Sequence, residues 1–363
     1  MSGGTRSVIG ARPLFPPLDQ RLKIPWRGGS ARLQRKVCEA NDAGSFEKAS
    51  RLLGNLSGLA ISAKRVQLIT ERVGRALREE AQAQTDRFLG RQAPKGSGNR
   101  AALLVVSVDG GRVQTRQEDP KEKWKEDKVG VVYDASPCPE RPGVEYEGPR
   151  PQTRSVCATM ESWERLGDRL SAVADERGYA RARQRVCIGD GATSIRALKD
   201  RCFPDAVFIL DWAHAVAHLH QIAQAAFGPG PKAESWHERQ KDRLWRGRLS
   251  KILPEIGRLC RRAGPPPKHA AENDPRRILA NNLHYFQTNR AAMNYPAFRQ
   301  NGWPLGSGII ESVIKQTGKR VKGTEKHWSM SGVEETLQVV AHRLSNDGAW
   351  DDFWKRCPLA SAA

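Results

Sequence analysis

The stretch over residues 185–219 limits most strongly what this chain can fold into. It contains an apolar run that ends at Asp190, a helix-length segment over about 192–201, a second apolar run over 206–210, and a segment opened by Asp211. Short apolar runs that are bounded by turn residues and separated by a helix are typical of parallel strands in an α/β sheet. Asp190 is therefore predicted at the carboxyl end of a strand, where open α/β sheets bind ligands. A helix cap or a turn is the ordinary role of such an Asp, so its neighbours decide its function.

The segments before residue 185 are predicted to add strands that make the sheet mixed, with both parallel and antiparallel pairs. An apolar strand is predicted to end at Asp109, and Gly110 and Gly111 supply turn chemistry. The other predicted segments are strands over 112–117 and 128–133, a Pro-rich loop over 137–151 and a helix over about 158–177. The resulting order, β-β-β-α-β-α-β-α, is the layout of a ribonuclease-H-like fold: a mixed five-stranded sheet with flanking helices.

The charge of the chain points to a polyanionic partner. Lys and Arg number 60 against 40 Asp and Glu, which leaves a net charge of +20. Such a field attracts phosphate polymers through counterion release, so nucleic acid is the expected partner. A ribosome-associated or merely basic protein would have the same charge.

Residues 30–90 have helical texture and are predicted to form a helix-turn-helix DNA-binding region. Ser45 and Ser62 are candidate N-caps, and a regular apolar stripe follows Ser62. The opposite face carries Lys64, Arg65, Gln67 and Arg72, which we expect to enter a major groove. A small helical bundle with a solvated charged face would give the same pattern.

We place the remaining domain boundaries where the amino-acid composition of the chain changes. We expect an irregular N-terminal arm over 1–29, a linker over 91–100, a first part of the catalytic core over 101–227, a helical basic insertion over 228–300, final core helices over 301–345, and a C-terminal tail over 346–363. The insertion carries Arg243, Arg246 and Arg248, which we expect to lie on nucleic acid. A solvated helical lid would look similar.

A third carboxylate comes from the final core helices. Gly306, Ser307 and Gly308 precede a helix on which Glu311 is followed at helical spacing by the residues Lys315, Lys319 and Lys322. This pattern suits a metal ligand beside a phosphate track, and it also suits a salt-bridged surface helix.

Taken together, Asp109, Asp190 and Glu311 indicate a metal site. Three carboxylates in apolar surroundings repel one another unless a cation neutralises them. Mg²⁺ or Mn²⁺ is expected, because such ions accept a few carboxylates and keep positions open for phosphate oxygens. Two ions about 4 Å apart would suit phosphodiester chemistry.

The words VSVDGG, IGDGA, LDWAHAVAHL, GSGIIES and KRVKGTEKHWS, in this order, resemble DDE transposases of bacterial insertion sequences, and in particular the ISKra group. The resemblance covers roughly residues 100–345 and is weaker in the helix-turn-helix region. It implies a ribonuclease-H-like catalytic domain with Asp109, Asp190 and Glu311 as metal ligands. It also implies binding of terminal inverted repeats, followed by strand cleavage and transfer.

Asp211 and His214 also match the (C/D)xxH step of Mutator-like transposases. We expect His214 to brace the carboxylates by hydrogen bonds, while direct contact with a phosphate is the alternative. His214 and His218 are spaced for a shared zinc, but no Glu of the H-E-x-x-H kind or Cys pair supports one. Three tryptophans are candidates for stacking on unpaired bases, with core packing the safer interpretation: Trp212, Trp303 and Trp328.

Seven scattered cysteines without a C-x-x-C pair argue against a disulfide framework. No apolar run approaches the roughly 18 residues that span a bilayer, and no signal peptide is evident. We therefore expect a cytoplasmic, nucleoid-associated bacterial protein that acts on double-stranded DNA as a homo-oligomer. Two other functions fit the same residues: a ribonuclease-H-fold nuclease without strand transfer, and a domesticated, non-catalytic DNA-binding protein.

Overall fold

A computed structural model describes residues 29–92, 101–117, 119, 122–323 and 325–356. Almost all of the predicted N-terminal arm and most of the predicted linker lie outside these residues. The elements in chain order are α1 Ala31–Ala40, α2 Phe46–Ser57, α3 Ala63–Leu89, β1 Leu103–Gln114, β2 Trp124–Ala135, β3 Pro151–Thr159, α4 Trp163–Glu176, β4 Gln184–Gly189, α5 Thr193–Cys202, β5 Val207–Leu210, α6 Trp212–Phe227, α7 Pro231–Trp245, α8 Leu249–Ala263, α9 Pro275–Thr288, α10 Tyr295–Gln300, α11 Gly308–Val321, α12 Met330–Leu344 and α13 Ala349–Arg356.

The centre of the molecule is a five-stranded mixed sheet in the order β3-β2-β1-β4-β5. The strand β1 pairs antiparallel with β2, and β2 pairs antiparallel with β3. On the other side, β1 and β4 are parallel, as are β4 and β5. The predicted α/β class, with a mixed five-stranded sheet flanked by helices, is confirmed.

The prediction of a turn at Gly110 and Gly111 is wrong. β1 continues through both glycines, which pair with Lys128 and Asp127 of β2. A Cβ on Gly111 would lie 2.5 Å from Oδ1 of Asp127, and one on Gly110 would lie 2.9 Å from Oε1 of Glu126. These glycines therefore make room for neighbouring side chains within a strand, which is the other common use of glycine in sheets.

The third strand also lies elsewhere than predicted. The predicted segment 128–133 belongs to β2, and the edge strand is β3, Pro151–Thr159. The sequence pattern predicts a Pro-rich loop over 137–151 and a helix from about 158, and no strand between them. Pro is tolerated as the first residue of an edge strand. The following helix begins only at Trp163, capped by Ser162.

Each face of the sheet has its own apolar core. On one face, Leu104 and Val106 pack with Leu166 of α4 and Ile195 of α5. The other face is covered by α6, α11 and α12, and its core is continuous with that of the helical insertion. Since side chains alternate along a strand, Asp109 lies on the face that α11 covers.

The edge strand β3 is closed by α12 and the residues after it. Four side chains there hydrogen-bond to backbone groups in or beside β3. The pairs are Glu334 with the Met160 N–H, Gln338 with the Ala158 carbonyl, Ser345 with the Val156 N–H, and Asn346 with the Arg154 N–H. These bonds satisfy backbone N–H and C=O groups of the edge strand that would otherwise be free to pair with a strand of another chain.

The N-terminal helices pack against the core. Ser30, Ser45 and Ser62 cap α1, α2 and α3, and the predicted stripe on α3 is buried. Gly54 lies inside α2, which ends at Ser57 and has Gly58 as its C-cap. The core of this region also contains Trp350 and other aromatic residues of α13, which lies within the predicted C-terminal tail.

Among the described residues, none of the helices combines the length and the apolar character that a membrane span requires.

Candidate functional site

Asp109 and Asp190 lie at the same edge of the sheet. β1 pairs with β4 only as far as Ser107 and Ile188, so Asp109 lies just past the end of β4 although it is inside β1. Asp190 directly follows Gly189, the last residue of β4. The predicted placement at the carboxyl edge therefore holds for both residues, while the statement that Asp109 ends its strand is wrong.

The carboxylate of Asp109 is half-buried and interacts with the other predicted site residues. Its Oδ1 accepts a hydrogen bond from the Gly110 N–H at 2.7 Å. Burial raises the pKa of Asp109, and the negative charges of Asp190 and Glu311 raise it further, while the Gly110 N–H and His214 act in the opposite direction. The charges of Asp190, Glu311 and His214 therefore all act on this carboxylate.

A tight turn holds Asp190. Its Oδ1 accepts a hydrogen bond from the Ala192 N–H at 2.8 Å. Gly191 between them has a φ of +82°, a conformation that disfavours any residue with a Cβ. The helix α5 begins immediately afterwards at Thr193.

Asp211 is completely buried and connects two helices. Its Oδ1 accepts from the backbone N–H of His214 at 2.8 Å and so caps α6, while Oδ2 accepts from the backbone N–H of Ser307 at 2.5 Å. Burial raises the pKa of Asp211, but the hydrogen bonds from His214 and Ser307 outweigh this effect and leave the pKa below its usual value. Asp211 is therefore an ionised anchor inside the protein.

Glu311 is in the first turn of α11, where a negative charge is favoured by the helix dipole. Its Oε1 accepts a hydrogen bond from the Ser307 hydroxyl at 3.1 Å, and Nζ of Lys315 lies 3.8 Å from Oε2. Ser307 thus contacts Asp211 through its backbone and Glu311 through its side chain. This chain of contacts fixes the start of the helix that carries Glu311.

His214 projects from the first turn of α6 toward the carboxylates. Its Nδ1 donates to Oδ1 of Asp211 at 3.0 Å, which leaves Nε2 for other partners. The hydrogen bond to Asp211 raises the pKa of His214, burial opposes it, and the charges of Asp190 and Asp109 raise it further. This bond orients the ring of His214, and its role toward the other carboxylates stays a prediction.

The donor set suits Mg²⁺ or Mn²⁺ by its chemistry, since it consists of carboxylate oxygens in a partly buried setting. Within the described residues, however, no group of three or more His, Cys, Asp or Glu side chains is arranged to hold one ion. Mg²⁺ is commonly held by one or two carboxylates plus waters and substrate phosphates. That Asp109, Asp190 and Glu311 are metal ligands, and that they share two ions, therefore stays a prediction.

His218 has partners of its own. Its ring stacks on Tyr285 with 3.7 Å between centroids, and its Nδ1 lies 2.6 Å from Oδ1 of Asn282. His214 is meanwhile bonded to Asp211. Both Nδ1 atoms are therefore engaged with protein partners, and these contacts give no support to a zinc shared by the two histidines.

The predicted DNA-binding residues of α3 divide into two groups. Lys64 and Arg65 are exposed near the start of the helix. Gln67 donates to Glu71 at 2.7 Å. Arg72 is half-buried and donates to Oε1 of Gln34 at 3.3 Å, so its guanidinium faces α1.

The three arginines predicted to bind DNA from the helical insertion also differ in their exposure. Arg243 is half-buried, with its Nη1 2.9 Å from Oε2 of Glu255. Arg246 is exposed and pairs with Asp242 at 2.9 Å. Arg248 is exposed, just before α8 begins.

Of the lysines predicted to follow Glu311 along a phosphate track, Lys315 and Lys319 of α11 are exposed. Lys322 instead lies beside Gly111 and Asp127, where a Cβ on Gly111 would be 2.7 Å from its Nζ. Its charge lowers the pKa of Asp127, whose value is nevertheless raised, mainly by burial. Sequence reasoning did not identify Asp127 as a buried carboxylate, because KWKEDK reads as a charged surface segment.

The three tryptophans named from sequence pack against other side chains, in agreement with the core-packing interpretation: Trp328 is buried, and Trp212 and Trp303 are half-buried. Trp212 contacts Trp245 and Tyr295, Trp303 stacks on Phe298, and Trp328 donates its indole N–H to the Val321 carbonyl. Among the described aromatic residues, the large exposed one is Trp124, 51% exposed at the start of β2. Its place opposite Gln114, at the end of the β1–β2 pairing, became evident only from the register of the two strands.

Comparison with known proteins gives no further support. No protein-family model matches the chain, and no curated protein matches it at a significant level.

Proposed function

We propose that this chain is a DNA transposase of the DDE type that binds the terminal inverted repeats of an insertion sequence and cleaves and transfers DNA strands. The observation that carries the proposal is that Asp109 and Asp190 lie at the same edge of the sheet, where the negative charges of Asp190 and Glu311 raise the pKa of Asp109. The strand order, with three antiparallel strands followed by two parallel ones, supports a ribonuclease-H-like catalytic domain.

In this proposal two Mg²⁺ or Mn²⁺ ions, when bound, would provide the means to activate a nucleophile and to stabilise the leaving oxygen. Asp109, Asp190 and Glu311 would hold the ions. Asp211 orients His214 through Nδ1 and fixes the start of α11 through Ser307. The Nε2 of His214 would then hydrogen-bond either to a phosphate oxygen of the DNA or to one of the metal-binding carboxylates.

The basic surface would hold double-stranded DNA, both the element ends and the target. Its exposed members are Lys64, Arg65, Arg246, Arg248, Lys315 and Lys319. Because two element ends must be brought together, we propose a homo-oligomer on DNA and a place in the bacterial nucleoid.

The test uses purified protein, labelled DNA that carries the inverted repeats flanking the gene, and Mg²⁺. We expect nicked and joined products from the wild type and none from Asp190→Asn or Glu311→Gln. Asp200→Asn is the matched control, since this carboxylate is exposed and pairs with Lys199. Undiminished activity in either site variant would overturn the assignment of ligands.

The products also separate the rival functions. Cleavage without joined products would identify a ribonuclease-H-fold nuclease that does not transfer strands. Binding of the repeats without cleavage would identify a non-catalytic DNA-binding protein.

A further inference from the structure

The helical insertion reaches the candidate active site through α9. The phenol of Tyr285, on this helix, donates a hydrogen bond from Oη to the backbone carbonyl of Asp190 at 2.7 Å. The two residues are 95 positions apart, and they belong to different layers of the fold. The insertion is thus in direct contact with the turn that presents Asp190.

The direction of the Tyr285 hydroxyl is fixed by its surroundings. Its ring lies on His218 of α6 with an interplanar angle of 23°. His218 is in turn held by Asn282, one helical turn before Tyr285 on α9. Burial raises the pKa of Tyr285, so the phenol keeps its proton and stays a donor.

The C-terminal end of α9 closes the other side of the same turn. A Cβ on Gly191 would lie 2.9 Å from Nδ2 of Asn289, so Asn289 contacts the turn closely. Arg196 of α5 donates to the Thr288 carbonyl at 2.7 Å and to Oδ1 of Asn289 at 2.9 Å. These bonds join the end of α9 to the helix that follows Asp190.

The turn needs such support because glycine permits several backbone conformations. Rotation of the peptide unit between Asp190 and Gly191 would move the Asp190 carbonyl, and a matching change in the backbone of Gly191 would move the Ala192 N–H that holds Oδ1. The hydrogen bond from Tyr285 opposes that rotation. Its effect on the carboxylate is indirect, through the backbone.

We infer that Tyr285 is a positioning residue, through which the insertion fixes the Asp190 turn in the conformation that binds a divalent cation. The part of this inference that concerns cation binding rests on the proposed function. The contact of Tyr285 with the turn is independent of that function.

The experiment compares Tyr285→Phe with Tyr295→Phe in the full-length protein. Both substitutions keep the ring and remove one hydroxyl that donates to a carbonyl at a strand end, since Tyr295 donates to Leu210 at 3.0 Å. Hydrogen–deuterium exchange of the peptide over residues 185–195 reports on the turn. Isothermal titration with Mn²⁺ reports on cation binding.

We expect faster exchange in that peptide for Tyr285→Phe, and an Mn²⁺ affinity lower by about 10-fold, as is common when a supporting hydrogen bond to a metal site is lost. For Tyr295→Phe we expect an unchanged Mn²⁺ affinity. His218→Phe, which keeps a ring for the stack, is expected to retain most of the affinity.

Equal exchange and equal Mn²⁺ affinity in the wild type and Tyr285→Phe would overturn the inference. An equal loss of affinity in both tyrosine variants would also overturn it, because the effect would then be general destabilisation. If wild type binds no Mn²⁺, the proposed function fails, and the exchange data still decide whether Tyr285 holds the turn.

Discussion

The backbone N–H of Ser307 donates a hydrogen bond to Oδ2 of Asp211 across 96 positions of sequence. The same carboxylate caps α6 and orients His214 through its other oxygen. A second backbone bond, from the Trp212 N–H to the Leu305 carbonyl at 2.9 Å, supports the junction. One buried Asp therefore sets the relative position of the helix that carries His214 and the helix that carries Glu311.

The pair formed by Asp211 and His214 should make stability depend on pH in a defined window. Because the folded pKa of His214 is raised, its contribution is complete below the unfolded value of about 6.5 and is lost as pH rises through the folded pKa. Because the folded pKa of Asp211 is lowered, its contribution is present above about 3.9 and is lost as pH falls through the folded pKa.

We therefore expect Asp211→Asn to lose about 1.5 to 3 kcal/mol of unfolding free energy, most clearly between about pH 4 and 6.5. Urea unfolding of wild type and variant across pH measures the difference. Strand transfer should also fall by about 10- to 100-fold, since Asn has one acceptor oxygen and cannot accept from both His214 and Ser307. A constant stability difference from pH 4 to 9 would contradict the ion-pair assignment.

Asp109→Asn should stabilise the protein in the absence of divalent cations. The folded pKa of Asp109 is raised, so ionisation of this group opposes folding at neutral pH, and the penalty disappears as pH falls below its unfolded pKa. Thermal unfolding in EDTA should give a higher Tm for the variant at pH 7 and equal values near pH 3. Addition of Mg²⁺ should raise the Tm of the wild type more than that of the variant, and the reverse order would contradict a cation site at Asp109.

Gly74→Ala tests the packing of the N-terminal helices on the core. A Cβ at this position of α3 would lie 1.9 Å from the Glu335 carbonyl of α12, so the two helices must separate. Overpacking of this kind costs about 1 to 3 kcal/mol. Gly54→Ala is the control, since it lies inside α2 with nothing within 4 Å of its Cβ. That change should stabilise the protein by about 0.5 to 1 kcal/mol, and denaturant unfolding measures both.

Trp124→Ala tests whether the exposed end of the hairpin contacts DNA. Trp124 is 51% exposed and Arg112, on the same face of the hairpin, is exposed too. Stacking of an unpaired base on an indole contributes about 1 to 3 kcal/mol. We expect single-stranded DNA to bind about 10-fold more weakly to Trp124→Ala, with partial recovery in Trp124→Phe, by fluorescence anisotropy. Unchanged affinity together with a lower Tm would indicate a structural role instead.

Much of the local structure followed from sequence because its causes are local. The serines before α1, α2 and α3 supply side-chain oxygens to the first turn of each helix, and the apolar stripe of α3 has helical spacing. The strand before Asp190 and the crossover helix after it have the expected length and burial. The glycines of β1 were misinterpreted because their use depends on Glu126 and Asp127 across the ladder, which no local pattern shows.

The sequence by itself determined the α/β class and the candidate carboxylates, because strand periodicity, caps and acidic residues at strand ends are visible within a few neighbouring positions. Only the tertiary structure decided that Asp211 reaches Ser307, that Tyr285 of the insertion supports Asp190, and that Lys322 and Arg72 lie against protein groups. These contacts join residues far apart in the chain. Their geometry depends on how helices pack on the sheet, so the identity of the residues alone could not specify them.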